Sequence, residues 1–499
     1  MKDRILKMVE SALNTCLPWV TEKDGAVQFV DPLDNEEISA HYGATHMSAA
    51  LIIYGTLTDN NSLVKKGEDL LLSVLDRWNE NKDLEGFHND FNNFALCVIE
   101  RFTDKYHEKI KNAVMETRDT LFDTVNWLPM RWFVNKCRYE WTNDQAYLDV
   151  CRSCSEKINQ ATYSDGFIDD MIPIGRSFSL QYDVATVAFL QYLRHEGEEI
   201  DLSLQTGALL NAVCPDGDIN YFGRGTNQIF SWGLWIYLLA NDSQSELGRA
   251  LDYLEAHLPA ALANNNLMLN DYPGSDKYMW WDYHYCSVYT AHLLLWLVLA
   301  WRDYGKDPVE PKLVTDGSSG IQIYKNDNAF VVTFNGRGEY LSERGPLVEA
   351  VWTKQAGTIY KGAFGPWKGL FGNKYLQPDA TIRNFWGLTC IGTEIYKNTS
   401  NPVLRRIRSN KIPDAEESVK PVFISPAVDL SGGVKITYRL DGQPLMLNLP
   451  VSGGMITVSV DGKEQNLADS ICIKNQYGLV SIKQCLINSG EELVIKIPC

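Results

Sequence analysis

The sequence predicts two unlike parts: an incomplete (α/α) toroid of helical hairpins over residues 1–305, then an antiparallel β-sandwich over residues 312–499. Three observations carry this. Apolar residues recur at helical spacing almost continuously to about residue 305. After "WRDYGKDPVEPKL" the recurrence switches to alternate residues. At 499 residues the chain also exceeds one ordinary hydrophobic core.

The helices come in two kinds. "NFALCVIERF", "SLQYDVATVAFLQYLRH", "IFSWGLWIYLLA" and "YTAHLLLWLVLAW" are apolar on most faces, as buried helices are. Between them run amphipathic ones. In "SLVKKGEDLLLSVLDRW", Leu63, Leu70, Leu71, Val74, Leu75 and Trp78 share one stripe. "KYHEKIKNAVMETRDTLF" and "SQSELGRALDYLEAHL" are similar. Apolar helices alternating with amphipathic ones suit an inner ring wrapped by an outer one.

A loose repeat supports the ring. "LEGFHNDFNNFALCVIERF", "YSDGFIDD…LQYDVATVAFLQYL" and "CPDGDINYFGRGTNQIFSWGLWIYLL" each run from acidic-Gly through a polar-aromatic loop into an apolar helix, and "YPGSDKYMWWDYHYCSVYTAHLLLWL" varies the plan. Helical hairpins that cannot bury their faces alone stack on neighbours, which gathers their loops at one end. In the second part, "IQIYKNDNAFVVTF", "GVKITYRL", "MITVSVDG" and "ELVIKIP" alternate, with turn signals at Asp441-Gly442 and Asp461-Gly462.

Composition narrows the function. The net charge of −17 is uneven: from Lys312 onward there are 21 basic and 17 acidic residues, leaving a balance of −21 before it. Nucleic acid is a poor partner for such a surface. The opening "MKDRILKMVESALNTCLPWV" is an amphipathic helix with charges throughout rather than an export signal. Lacking an apolar run of about 18 residues, the chain is expected in the cytoplasm, off the membrane. Its 11 cysteines form no framework and are expected reduced. Cys151 and Cys154 read as helix packing. Oligomeric state is left open.

The repeat loops hold the chemistry. "GFHNDFNN" offers His88 and Asn89, and "DGFIDDMIPIGRSFSLQYD" offers Arg176 and Tyr182. "NYFGRGTNQIF" offers Tyr221, Arg224, Asn227 and Gln228; "YMWWDYHYCSVYTAH" offers Trp281, Tyr283, His284 and Tyr289; "NWLPMRWF" offers Trp127 and Trp132. The glycines in "GRG" are not a nucleotide loop, since Gln228 stands where a third glycine belongs and no Gly-Lys-Ser/Thr follows. Gly223 and Gly225 instead suggest close approach of Arg224 to a ligand. His41 and His46, flanking a glycine, read as packing, as does His292; His107 and His195 read as surface residues.

Aromatics beside carboxamides, Arg, His and Tyr suit sugar rings, and they contain the parts for β-elimination at a uronic acid. Arg224 with Asn89 or Gln228 would neutralise the carboxylate and so acidify the neighbouring proton. A His or Tyr would remove that proton, and a Tyr hydroxyl would protonate the leaving oxygen. This chemistry requires no metal or cofactor. The catalytic set is therefore Tyr182, Arg224, His88, Asn89 and His284. The substrate-binding set is Tyr221, Asn227, Gln228, Trp127, Trp132, Trp281, Tyr283 and Arg176.

"DGFIDD" followed by "QYD", together with "YFGRG", resembles polysaccharide lyases built as an α/α toroid followed by an antiparallel β-domain, the group of chondroitin-AC, hyaluronate and alginate lyases and the heparinase II/III relatives. The resemblance implies a catalytic tyrosine at Tyr182, an arginine loop at Arg224 and an acidic oligo- or polysaccharide as substrate. Pro173 stands where some of these lyases carry a histidine, so the base is His88, His284 or Tyr182 itself. Two other classes stay open. One is an inverting glycoside hydrolase using acids among Asp165, Asp169, Asp170, Asp216 and Asp218; the other is a non-catalytic glycan-binding protein.

Overall fold

The structure is a computed structural model describing the chain except residues 24, 81–87, 121–123, 175–177, 222, 224, 243, 271–284, 335–346, 362–386, 391–425, 441–444, 452–453, 476 and 489. Six helices form an inner ring: α2 (Gly43–Leu57), α4 (Asn89–Phe102), α6 (Leu128–Thr142), α8 (Leu180–His195), α10 (Ile229–Asp242) and α12 (Cys286–Arg302). Each packs on the next, and α12 packs on α2, so the ring closes. Outside it lie α1 (Lys2–Cys16), α3 (Asn61–Glu80), α5 (His107–Glu116), α7 (Gln145–Ala161), α9 (Ser203–Ala212) and α11 (Gln244–Ala263).

Closure corrects the expected incomplete toroid. The sequence repeat marks α4, α8, α10 and α12, but α2 and α6 enter without an acidic-Gly loop and so escape the pattern. Their burial is that of ring members. In α2 every residue from Thr45 to Gly55 is buried, and in α8 every residue from Leu180 to Leu193. A helix wedged between the axis and an outer layer has no solvent face to keep polar. Each fully buried Leu or Phe in it contributes roughly 1.5–3 kcal/mol.

A hairpin the periodicity did not reveal, β1 (Val20–Lys23) with β2 (Ala26–Phe29), precedes α2. Its turn glycine, Gly25, has φ +78°. The remaining strands follow α12. β3 (Ile321–Lys325), β4 (Ala329–Phe334), β5 (Leu347–Thr353) and β6 (Gly357–Lys361) form one sheet in chain order. Then come β7 (Gly387–Cys390), β8 (Ala427–Asp429), β9 (Val434–Arg439), β10 (Leu445–Val451), β11 (Thr457–Val460), β12 (Lys463–Glu464), β13 (Ala468–Asn475), β14 (Gly478–Ile487) and β15 (Glu492–Ile497). They make two further sheets, β13-β14-β10-β7 and β12-β11-β15-β9-β8.

The first sheet joins the two parts because β4 is buried along its whole length. Successive side chains on a strand point to opposite faces. Phe330, Val332 and Phe334 therefore join the helical core, while Ala329 and Val331 join a second core shared with β9, β10, β11, β14 and β15. Phe334 stacks on Phe178 just before α8, with centroids 5.8 Å apart. Phe330 meets Tyr221, just before α10, edge-on at 6.3 Å. The sheet thus rests against the segments that lead into two inner helices.

Candidate functional site

Helical spacing turns one stripe of each inner helix toward the ring axis, and those stripes are aromatic. Deep in the ring, Phe94, Phe133, Tyr192, Tyr237 and Trp296 interlock, with Phe133–Tyr192 centroids 5.2 Å apart and Tyr237–Trp296 4.9 Å apart. Above them lie Tyr42, Phe91, Phe189, Phe230 and His292. Tyr42 stacks on Phe91 at 4.3 Å and Phe230 on His292 at 4.3 Å. These two layers plug the axis, so the ring is a packed core with a floor. At the N-terminal ends of the inner helices sits a third layer, His41, His88, Trp127 and Tyr285, in which His41 and Tyr285 are 4.6 Å apart and His88 and Trp127 6.2 Å. His41, His88 and Tyr285 are only partly buried. This rim is the candidate site.

His88 caps α4, and its Nδ1 lies 3.2 Å from the Ala40 carbonyl oxygen. A carbonyl only accepts, so Nδ1 carries the hydrogen and Nε2 is the basic nitrogen. Burial pushes the imidazole down to about 4, against the pull of the Ala40 hydrogen bond. It is therefore neutral at pH 7, as a base must be. Asn89 follows on the first turn, half-buried, its Nδ2 donating to the Arg118 carbonyl at 3.0 Å. Beneath them Asp90 pairs with Arg131, 3.0 Å between Oδ2 and Nη2, and fastens α4 to α6. Burial nevertheless lifts Asp90 to about 6.

Tyr182 lies on the first turn of α8 and is 8% exposed. It precedes the axis residue Phe189 by seven positions, two helical turns, and so belongs to the same stripe. Trp127 is on the rim at the start of α6. Trp132 is not, because five residues carry it about 140° round the helix. It packs half-buried against the core instead.

The loop before α10 departs from expectation. Tyr221 is fully buried and donates its hydroxyl to the Ala212 carbonyl at 2.9 Å. Asn227 is fully buried too. Its Nδ2 donates to Leu269 at 3.2 Å, and its Oδ1 accepts from the Tyr253 hydroxyl at 3.2 Å. Both brace the loop from within, which corrects their reading as ligand contacts. Gln228 is buried as well, but neither of its amide atoms has a hydrogen-bond partner among the described residues. The glycines also serve packing rather than ligand approach. A Cβ on Gly225 would lie 2.0 Å from Gln181 Nε2, and one on Gly223 would lie 2.7 Å from Ser179 Cα. The loop tip is pressed onto the start of α8, beside Tyr182. Arg224, Arg176, Trp281, Tyr283 and His284 lie outside the described residues.

The acids of the hydrolase alternative are drawn into local structure. Asp165 Oδ2 accepts from Ser319 Oγ at 2.7 Å, and Asp170 Oδ1 from Asn126 Nδ2 at 2.5 Å. Asp169 Oδ2 accepts from Tyr163 at 3.0 Å. Asp216 and Asp218 both hold Lys361, at 2.7 and 2.9 Å. Asp183 differs. It is fully buried, both its side-chain oxygens lack a hydrogen-bond partner among the described side chains, and burial raises it well above the usual carboxylate range.

Two histidines set aside on sequence are placed by the fold, one of them in the rim. His41, expected to pack, stacks on His88. His195, expected at the surface, has a buried side chain whose Nδ1 meets the Tyr237 hydroxyl at 2.5 Å, at the opposite end of α8. The Tyr42–His46 spacing on an apolar helix was the available signal for an axis stripe on α2. Nothing local marked His195. Among the described residues no cluster of three or more His, Cys, Asp or Glu side chains suits a metal ion, and no helix is long and apolar enough to cross a membrane.

No family model and no curated protein matches the chain. Solved structures similar to it include the α-1,6-mannanase of Salegentibacter sp., at 13% identity over 60% of this chain and 98% of that one, with a TM-score of 0.41. A polysaccharide lyase aligns at 12% identity over 59% of this chain and 97% of that one, TM-score 0.41. A variant of unsaturated glucuronyl hydrolase from Streptococcus agalactiae aligns at 14% over 61% and 91%, TM-score 0.42. Spread over hydrolases and a lyase, these likenesses assign neither reaction.

Proposed function

We propose that the protein is a polysaccharide lyase that cleaves a uronic-acid-containing glycan by β-elimination. The observation that carries this reading is His88: a neutral imidazole with its basic nitrogen fixed as Nε2, set among aromatic rings at the N-terminal ends of the inner helices. In the proposed reaction Arg224, with Asn89 or Gln228, binds the substrate carboxylate and stabilises the enolate that forms when C5 loses its proton. His88 Nε2 takes that proton. The electron pair left on C5 forms the C4–C5 double bond as the C4–oxygen bond breaks, and Tyr182 protonates the departing oxygen. Trp127 and Tyr285 offer faces to the sugar rings; His284, Trp281, Tyr283 and Arg176 complete the proposed binding set. Water then restores the Tyr182 proton and takes up that on His88.

Hydrolysis is the second reading, and Asp183 favours it. Burial pushes the Asp183 carboxyl, next to Tyr182 on the first turn of α8, toward the protonated form that a glycosidase acid needs, against the pull of the Ile168 backbone N–H. Incubation with acidic oligosaccharides separates the two. Elimination gives a product whose conjugated double bond absorbs in the ultraviolet, whereas hydrolysis gives new reducing ends with no absorbance. Reducing ends without absorbance would overturn the lyase reading.

A further inference from the structure

The loop that carries Arg224 is fastened to the β-region by a buried network that no step of the reaction uses. Lys361, at the end of β6, is 4% exposed. Its Nζ lies 2.7 Å from Asp216 Oδ2, 2.9 Å from Asp218 Oδ2, 4.8 Å from the centroid of Tyr253 and 5.3 Å from that of Tyr477. Two carboxylates and two aromatic faces thus enclose one ammonium, an arrangement whose attraction grows as water is excluded. Thr358 adds a hydrogen bond to Asp216 at 2.8 Å.

From this cage the network runs along the loop. The Tyr477 hydroxyl, in the turn between β13 and β14, lies 2.7 Å from Asp218 Oδ2 and 3.0 Å from the Asn220 carbonyl oxygen. Asp218 Oδ1 accepts from the Asn220 amide at 2.8 Å. Asn220 Nδ2 donates across the loop to the Gly225 carbonyl at 2.8 Å and to Ser231 Oγ at 2.9 Å on the first turn of α10. On the far side, the Tyr253 hydroxyl reaches Asn227 at 3.2 Å, so both ends of the loop return to the same cage.

We infer that Lys361 and Tyr477 are positioning residues: the β-region holds the described residues of the 216–228 loop, Gly223 and Gly225 among them, against the start of α8, and on the lyase reading this orders the backbone on either side of Arg224. This rests on the lyase reading for the role of Arg224, but not for the fastening itself. Substituting Lys361→Met strands the buried Asp218 carboxylate and the half-buried Asp216, and is expected to unfold the region. The informative variant is Tyr477→Phe, which deletes one hydroxyl and leaves the ammonium in place. Amide hydrogen exchange of residues 220–228 is expected to quicken by about tenfold or more in the variant, while that of α4 and α12 is unchanged. Turnover on an acidic oligosaccharide is expected to fall by about tenfold with KM nearly constant, since a misplaced clamp loses transition-state contact first. Unchanged exchange in the loop would overturn the fastening. Quickened exchange with unchanged kcat would overturn the positioning role. Quickened exchange in a protein whose wild type forms no unsaturated product would leave the fastening intact and remove the lyase reading instead.

Discussion

The imidazoles of His41 and His88 lie face to face, their centroids 4.0 Å apart and their planes 30° apart. Two cationic rings at that separation would repel, so the stack persists only while at most one ring carries a proton. His41 comes from the turn before α2 and His88 from the cap of α4. The contact therefore ties two neighbouring members of the inner ring at the rim of the site.

From this follows the pH dependence of catalysis. With His88 held down to about 4 by burial, the base stays unprotonated well below the ordinary histidine value of 6.5. The acid limb of kcat/KM is expected near pH 4 to 5 rather than near 6.5. A limb at the ordinary value would remove His88 from the role of base, and His88→Gln is expected to abolish turnover.

Stability follows the same histidines with a definite sign. Burial lowers His46 to about 3 and His88 to about 4, and it holds His292 well below the ordinary histidine value. The unfolded chain binds protons at these positions below about pH 6.5, whereas the folded chain refuses them. Their contribution is complete above pH 6.5 and is lost as the pH falls toward 4 and then 3. Urea midpoints are expected to fall across that window, and His46→Gln is expected to flatten the profile. A profile unchanged by the substitution would show that His46 does not contribute.

Gly225 is expected to be intolerant of any side chain. Its φ of +77° and the 2.0 Å approach of a Cβ to Gln181 both oppose substitution. Gly225→Ala should therefore cost about 1–3 kcal/mol of stability, read from urea unfolding. Wild-type stability in that variant would mean that the loop tip does not rest on α8.

Replacing Arg224 with Lys keeps the charge and removes the planar fork that matches a carboxylate. Turnover is expected to fall by about 30- to 1,000-fold, corresponding to roughly 2–4 kcal/mol in the transition state, with little change in stability. A loss of stability without a loss of rate would assign Arg224 to the scaffold.

The helical part was legible because its inner helices are apolar all round and its loops repeat an acidic-Gly opening. Where that opening is missing, at α2 and α6, the repeat leaves no trace and the sequence predicts an incomplete ring. His88, Asn89, Tyr182 and Trp127 could be placed near helix starts from local pattern alone. Tyr221 and Asn227 could not be separated from ligand contacts, because their partners Ala212, Leu269 and Tyr253 come from segments that only the folded chain brings near. The same holds for Lys361 and Asp218, 143 positions apart in sequence. Long-range pairing of single charges leaves no periodic signal.

Tyr182 offers the most direct test. The wild-type protein and Tyr182→Phe are incubated with uronic-acid oligosaccharides, and the ultraviolet absorbance of the unsaturated product is followed while circular dichroism monitors the fold. The wild type should generate the absorbance, and the variant should lose it with its helical spectrum and melting temperature preserved. Cleavage by the wild type without any rise in absorbance, or near-normal elimination by the variant, would contradict the proposed reaction.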